Sequence, residues 1–91
     1  MDLQNKVTII TGGSGGLGMA AAKAFLAKGA KVAVFDLEEG GAKALAKENA
    51  GQLKYYKTNV TREDNVAANI NQVMEDFGSI DVCINCAGFG P

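Results

Sequence analysis

The sequence predicts an α/β fold: a parallel sheet with helices on both faces, in the order β-α-β-α-β-α-β. Three observations predict it. Short strand-like runs start near positions 6, 31, 53 and 80, the third of them more polar around Tyr55-Tyr56, and a helical repeat follows each of the first three. A cluster of glycines sits where the first strand passes into the first helix. Hydrophobic content of 47% with one proline suits a packed chain rather than a disordered one. Right-handed crossovers at this spacing place the strands in the spatial order 3-2-1-4. There is no linker, repeat or low-complexity stretch, so residues 1–91 are expected to be one unit. That unit is expected to be incomplete, because residues 88–91 follow directly on a strand-like run.

Residues 6–11, Lys-Val-Thr-Ile-Ile-Thr, read as a buried strand. From Gly16 the period changes: Leu17, Ala20, Ala21, Ala24 and Phe25 share one helical face, and Gly29 supplies the stop. Residues 31–36 are a second strand, apolar on both faces as a covered parallel strand should be. A weaker helix spans residues 40–49 with Ala42, Leu45 and Ala46 inward. Gly40 and Gly41 would each cost its first turn about 1 kcal/mol relative to alanine, so fraying is expected there. Residues 53–59 form a third strand whose Lys54 and Lys57 suit a sheet edge. Thr61-Arg62-Glu63-Asp64 resembles a capping box with Asp in place of Glu. The helix it opens sets Val66, Ile70, Val73, Met74 and Phe77 on one face and ends at Gly78. Residues 80–85 are the fourth strand, expected to be buried on both faces, with no lysine or proline to discourage pairing.

Composition excludes several function classes. Nine Lys+Arg balance ten Asp+Glu, a formal net charge of -1, which does not suit nucleic-acid binding. No apolar run approaches the roughly 18 residues of a membrane span, and no secretory signal is visible at the start. With two cysteines and no histidine, the usual zinc frameworks and imidazole bases are out. Cys83 and Cys86 stand three apart at the end of an apolar run, away from a helix start that would stabilise a thiolate. They are expected to be buried, inert thiols in a reducing cytoplasm.

The strongest chemical signal is Thr11-Gly12-Gly13-Ser14-Gly15-Gly16-Leu17-Gly18, between the first strand and the first helix. Glycines there let the backbone turn tightly and approach a ligand closely. The helix that follows aims its free N–H groups and positive dipole end into the turn, an anion site suited to a pyrophosphate. Gly18 permits close packing of helix on strand. No Gly-Lys-Ser/Thr is present, so this is not a P-loop. Asp36 ends the second strand, 36 − 18 = 18 residues after the last glycine. An acid about 20 residues on is where a dinucleotide fold holds the adenosine ribose hydroxyls. Its charge would repel a 2′-phosphate, and neither residues 12–18 nor Leu37 offers a cation, so NAD is expected over NADP.

These residues resemble those of the short-chain dehydrogenase/reductase family. Thr11-Gly12-x-x-x-Gly16-x-Gly18 is similar to its fingerprint, with the first glycines separated by three residues, and Asn85-Cys86-Ala87-Gly88 resembles its Asn-Asn-Ala-Gly. The resemblance covers the whole chain but only the N-terminal part of a member. Within the family, the turn and the Asn-Cys-Ala-Gly variant look most like type II 3-hydroxyacyl-CoA dehydrogenases. It implies a three-layer Rossmann-type sheet and an NAD-dependent oxidoreductase working on a hydroxyl/carbonyl pair. Gly12, Ser14, Gly15, Gly16, Leu17 and Gly18 would then form the phosphate turn, with Gly15 and Leu17 contacting the cofactor through N–H groups. Asp36 and Leu37 would stand at the adenosine ribose. Asn59 and Val60 occupy the place of the family's Asp-Val at the adenine edge, where the Asn59 amide oxygen could accept from the adenine amino group. Asn85 would brace the central strands, and Cys86, Ala87 and Gly88 would border the nicotinamide ribose.

The family's catalytic Tyr-x-x-x-Lys is not found: Tyr55 has Asn59 four residues on, and Tyr56 has Val60. The 91 residues are therefore expected to bind NAD without turnover. A stand-alone nucleotide-binding module and a methyltransferase are the competing readings; the three-residue glycine spacing and residues 85–88 favour the dehydrogenase over the latter. Strand 80–85 is expected to pair with a missing C-terminal half or a second copy, and a homo-oligomer is expected.

Overall fold

A computed structural model describes residues 2–86. Seven elements follow one another: β1 (Val7–Thr11), α1 (Gly16–Ala27), β2 (Lys31–Asp36), α2 (Ala42–Glu48), β3 (Leu53–Lys57), α3 (Glu63–Phe77) and β4 (Val82–Asn85). The four strands form one parallel sheet in the order β3-β2-β1-β4. The register aligns Thr11 with Phe35 and with Asn85, and Asp36 with Lys57. The carboxyl ends of all strands therefore open on one rim, where ligands bind in open α/β sheets.

The sheet is covered on both faces. On one, Ile10, Val32, Val34 and Leu53 pack with Ala22 of α1 and with Ala42 and Leu45 of α2. On the other, Val7, Ile9, Ala33, Phe35 and Tyr56 pack with Val73 of α3. Each large aliphatic side chain taken fully out of water contributes about 1.5–3 kcal/mol. Phe35 and Tyr56 meet edge to face, with ring centroids 5.7 Å apart. The Tyr56 hydroxyl donates to Asp76 Oδ2 at 2.7 Å, fixing α3 to β3, while the exposed Lys54 reaches the same carboxylate at 3.5 Å.

Local outcomes depart from the sequence pattern in several places. Helix α1 is rotated from the expected face: Ala21 and Phe25 of that face pack against the core together with Leu26, Gly18 and Ala22 are buried, and Leu17, Ala20 and Ala24 are exposed. Close approach decides this rotation. A Cβ on Gly18 would lie 2.3 Å from the Gly13 Cα, so the helix comes nearest the turn along its smallest residues. Helix α2 begins at Ala42, with Gly41 as its N-cap, so neither glycine lies inside it.

Strand β3 stops at Lys57 rather than residue 59, because the Asn59 N–H leaves the ladder and donates to Asn65 Oδ1 at 2.6 Å. The capping box does not form. Arg62 is the N-cap of α3 without a side-chain capping bond, Thr61 Oγ1 donates instead to Asn59 Oδ1, and the Arg62 guanidinium pairs with Asp64. On α3, Val73 is buried, whereas Ile70 and Met74 are exposed. Strand β4 is not buried on both faces either: Val82 and Ile84 are half-buried and Cys83 is exposed, since among the described residues β4 pairs only with β1. The thiols are correspondingly not both buried, with Cys83 exposed and Cys86 half-buried. Among the described residues no helix is long and apolar enough to cross a membrane, and no cluster of metal-ligating side chains occurs.

Candidate functional site

The glycine turn lies flat on its neighbours. The Gly12 N–H donates to the Phe35 carbonyl at 2.7 Å, which ties the end of β1 to β2. A Cβ on Gly13 would meet Val34 Cγ1 at 2.9 Å, and one on Gly18 would meet only backbone, including the Gly12 carbonyl oxygen at 2.5 Å. Gly15 and Gly16 differ: nothing lies within 4 Å of the place a Cβ would take. Protein packing explains glycine at 13 and 18 but not at 15 and 16, which face open space. Gly15 is the N-cap of α1, with no side-chain cap and no acid in the first turn. The first N–H groups of a helix have no intrahelical partner, and here they donate to nothing among the described residues. No acidic side chain of α1 itself offsets the positive end of its dipole. Leu17, 67% exposed, stands beside it.

Asp36 faces this turn from the end of β2. Its Oδ2 accepts from Ser14 Oγ at 2.6 Å and from the Ser14 N–H at 3.3 Å, and its Oδ1 accepts from the Glu38 N–H at 3.3 Å. Burial pushes the Asp36 carboxyl up, but hydrogen bonds from the Ser14 hydroxyl and from the Glu38, Ser14 and Leu37 N–H groups outweigh it. The group sits below its ordinary value and is ionised at neutral pH. Gly40, at φ +45°, lets the next loop press on the same spot, since a Cβ there would lie 2.6 Å from the Ser14 carbonyl oxygen. The Tyr55 hydroxyl donates to the Asp36 carbonyl at 3.0 Å and fixes the strand end from the other side.

Beside Asp36 is a cavity of about 200 Å³ lined by Gly12, Phe35, Asp36, Leu37, Thr58, Asn59, Val60 and Thr61. Leu37 and Val60 are 53% and 46% exposed at it, two apolar side chains suited to a flat ring. Asn59 does not stand as its sequence position suggests. Its Oδ1 already accepts from the Thr61 N–H at 3.0 Å and from Thr61 Oγ1 at 2.6 Å, so that oxygen is not left for an amino group.

At the end of β4, Asn85 Oδ1 accepts from Thr11 Oγ1 at 2.9 Å, and the Cys86 N–H donates to the Thr11 carbonyl at 2.8 Å. Both bonds join β4 to β1. Ala87 and Gly88 lie outside the described residues. The structure thus brings residues 12–18, Asp36, Leu37, Asn59, Val60, Asn85 and Cys86 to one rim. Sequence reasoning missed the Ser14–Asp36 clasp and the role of Gly40. The Gly-Gly pair at 40–41 was the available signal, and it read only as a weak helix start.

A family model described as short chain dehydrogenase matches residues 6–91. The chain belongs to the short-chain dehydrogenase family. Among curated relatives, the 3-hydroxyacyl-CoA dehydrogenase type-2 of Rattus norvegicus is 39% identical over 82 residues, covering 90% of this chain and 31% of the relative. An oxidoreductase structure from Haemophilus influenza with bound NAD superposes with a TM-score of 0.87 at 38% identity, covering 99% of this chain and 33% of that one. A 3-ketoacyl-(acyl-carrier-protein) reductase from Brucella melitensis complexed with NADH gives 0.82 at 32% identity, covering 89% and 34%. This short-chain dehydrogenase sequence spans about a third of the length of the relatives it matches.

Proposed function

We propose that this short-chain dehydrogenase chain is the NAD-binding portion of an oxidoreductase that transfers hydride between NAD and a hydroxyl/carbonyl pair. The observation that carries the reading is the ionised Asp36 carboxylate set across from an uncapped helix start whose two outward glycines leave room for a ligand. The pyrophosphate lies against the N–H groups of Gly15 to Gly18, the adenosine ribose hydroxyls donate to Asp36, and the base lies between Leu37 and Val60. Asn85 braces the rim, while Cys86, Ala87 and Gly88 border the nicotinamide ribose. NAD bound there supplies the hydride acceptor. A 2′-phosphate is disfavoured by Asp36, with Glu38 and Glu39 adding to the repulsion and no cation in the turn to offset it.

The substrate is an alcohol or its carbonyl, and a 3-hydroxyacyl-CoA is the class that the similarity to the rat enzyme supports. No Tyr-x-x-x-Lys occurs in the 91 residues, so these residues bind without supplying the proton donor. Calorimetric titration of the full-length protein with NAD and NADP tests the assignment. NAD binding tighter by at least tenfold is expected; equal affinity for the two would refute it.

A further inference from the structure

In the dinucleotide reading, the preference for a 2′-hydroxyl over a 2′-phosphate depends on where the Asp36 carboxylate is held. The Ser14 hydroxyl and the Ser14 N–H both donate to Asp36 Oδ2, at 2.6 and 3.3 Å. While they do so, the carboxylate stays against the glycine turn and both Ser14 donors are engaged. With this clasp open, the carboxylate is free to rotate away. The two Ser14 donors are then free for a phosphate, which is held by such charge-assisted bonds.

The loop between β2 and α2 keeps the clasp closed. Gly40 adopts φ +45°, a conformation that side chains other than glycine's rarely take. A Cβ there would lie 2.6 Å from the Ser14 carbonyl oxygen, 2.9 Å from the Ser14 Cβ and 3.2 Å from the Ser14 carbonyl carbon. The Ser14 Cβ carries the hydroxyl that reaches Asp36, so a side chain at position 40 must displace that hydroxyl or lift the loop. The loop is tied to the same carboxylate, because the Glu38 N–H donates to Asp36 Oδ1 at 3.3 Å. Lifting it loosens Asp36 at its other oxygen. Gly41 is under no such constraint: its φ is -83°, and a Cβ there would meet only the Met19 side chain, at 3.6 Å or more. Gly40 does not itself line the cavity beside Asp36.

We propose that Gly40 is a positioning residue that sets cofactor selectivity: it keeps Ser14 on Asp36, and so keeps NAD ahead of NADP, without lining the site. The inference rests on the dinucleotide reading above and adds a residue that determines its selectivity.

The test is calorimetric titration of the full-length protein with NAD and with NADP, for the unmodified chain, Gly40→Ala and Gly41→Ala. Gly40→Ala should move the affinity ratio about tenfold toward NADP, the scale of a lost hydrogen bond to a charged group. Gly41→Ala should leave the ratio unmoved. A merely structural role for Gly40 would weaken both cofactors alike and leave the ratio where it was. In a Ser14→Ala background there is no hydroxyl to displace, so Gly40→Ala should move the ratio less than in the parent. A ratio unmoved by Gly40→Ala, moved equally by Gly41→Ala, or moved as far in the Ser14→Ala background overturns the inference and leaves the dinucleotide reading standing. If the unmodified protein binds NAD and NADP equally, or binds neither, the dinucleotide reading fails and this inference with it. Should Gly40→Ala not fold, Gly40→Asn takes its place, because asparagine tolerates a positive φ yet still sets a Cβ against Ser14. The same ratio then decides.

Discussion

Gly16→Ala and Gly18→Ala add the same methyl group two residues apart and should have opposite effects on stability. At Gly16 the new Cβ meets nothing within 4 Å, and the residue occupies the first helical position of α1. Alanine there restricts the unfolded chain and is compatible with the helix, so stability should rise by about 0.4–1 kcal/mol. At Gly18 the Cβ would lie 2.3 Å from Gly13 Cα, 2.5 Å from the Gly12 carbonyl oxygen and 2.7 Å from the Gly13 carbonyl carbon. All three atoms are backbone, so helix and turn must separate, and overpacking of this kind costs about 1–3 kcal/mol. Thermal melting by circular dichroism reads the stability difference, and calorimetry with NAD reads the site. Gly16→Ala should melt at or above the parent temperature yet bind NAD at least tenfold more weakly, because its methyl would stand where the pyrophosphate is proposed to lie. A Gly16→Ala protein with undiminished affinity would refute the placement of the ligand. A Gly18→Ala protein as stable as the parent would refute the packing argument.

Asp36→Ala should weaken NAD by about 1.5–3 kcal/mol, the worth of hydrogen bonds to a charged acceptor, and narrow the gap to NADP in the same titration. The folded carboxyl of Asp36 lies below its ordinary value of 3.8, so its contribution to stability is present above that value and lost as pH falls through the folded one. Asp36→Asn should accordingly flatten the acid limb of a melting-temperature profile, and an unchanged limb would count against the Ser14–Asp36 clasp. Burial, with the bond to Asp76, pushes the Tyr56 phenol well above its ordinary value of 10.0, so its contribution holds below that value and declines as pH rises beyond it. Tyr56→Phe should lower stability at neutral pH in a urea titration, because it removes the hydrogen bond that fixes α3 to β3, and an unchanged midpoint would count against that tie. The isolated 91-residue chain should self-associate through β4, whose outer edge pairs with no described strand. Sedimentation across a concentration series checks this, and a well-folded monomer at high concentration would contradict it.

The strand order and the rim were legible because they follow from rules with few solutions. Four short strand runs with helical crossovers admit few parallel orders, and a glycine turn followed by Asp36 places both groups at the carboxyl ends of neighbouring strands. The rotation of α1 was not legible, because periodicity ranks residues by hydrophobicity while close packing ranks them by size. Leu17, Ala20 and Ala24 are the more apolar choice on paper, yet the Gly18–Ala22 line lets the helix come closer to the sheet. The ends of β3 and α3 failed for another reason. In a capping box the Thr61 hydroxyl would accept from a helix N–H, and a sequence pattern counts that position without seeing that Asn59 Oδ1 draws the same hydroxyl as a donor.

That competition decides which polar groups the passage from β3 to α3 leaves over. Three side chains at the passage from β3 to α3 (Asn59, Thr61 and Asn65) satisfy one another: Asn65 accepts the Asn59 N–H, and Asn59 accepts both donors of Thr61. The turn is stabilised by spending the Asn59 acceptor internally, so the polarity offered to a ligand is set by what the turn leaves over. The same logic operates at Asp36, where Ser14 uses Oδ2 and the Glu38 N–H uses Oδ1. There the carboxylate still has free lone pairs and its charge, so it can hold the loop and accept ribose hydroxyls together. An amide with one oxygen cannot serve the turn and an amino group at once. The contrast between Asp36 and Asn59 is that the carboxylate keeps lone pairs and a charge after holding its loop, whereas the single amide oxygen is taken up by the Thr61 turn.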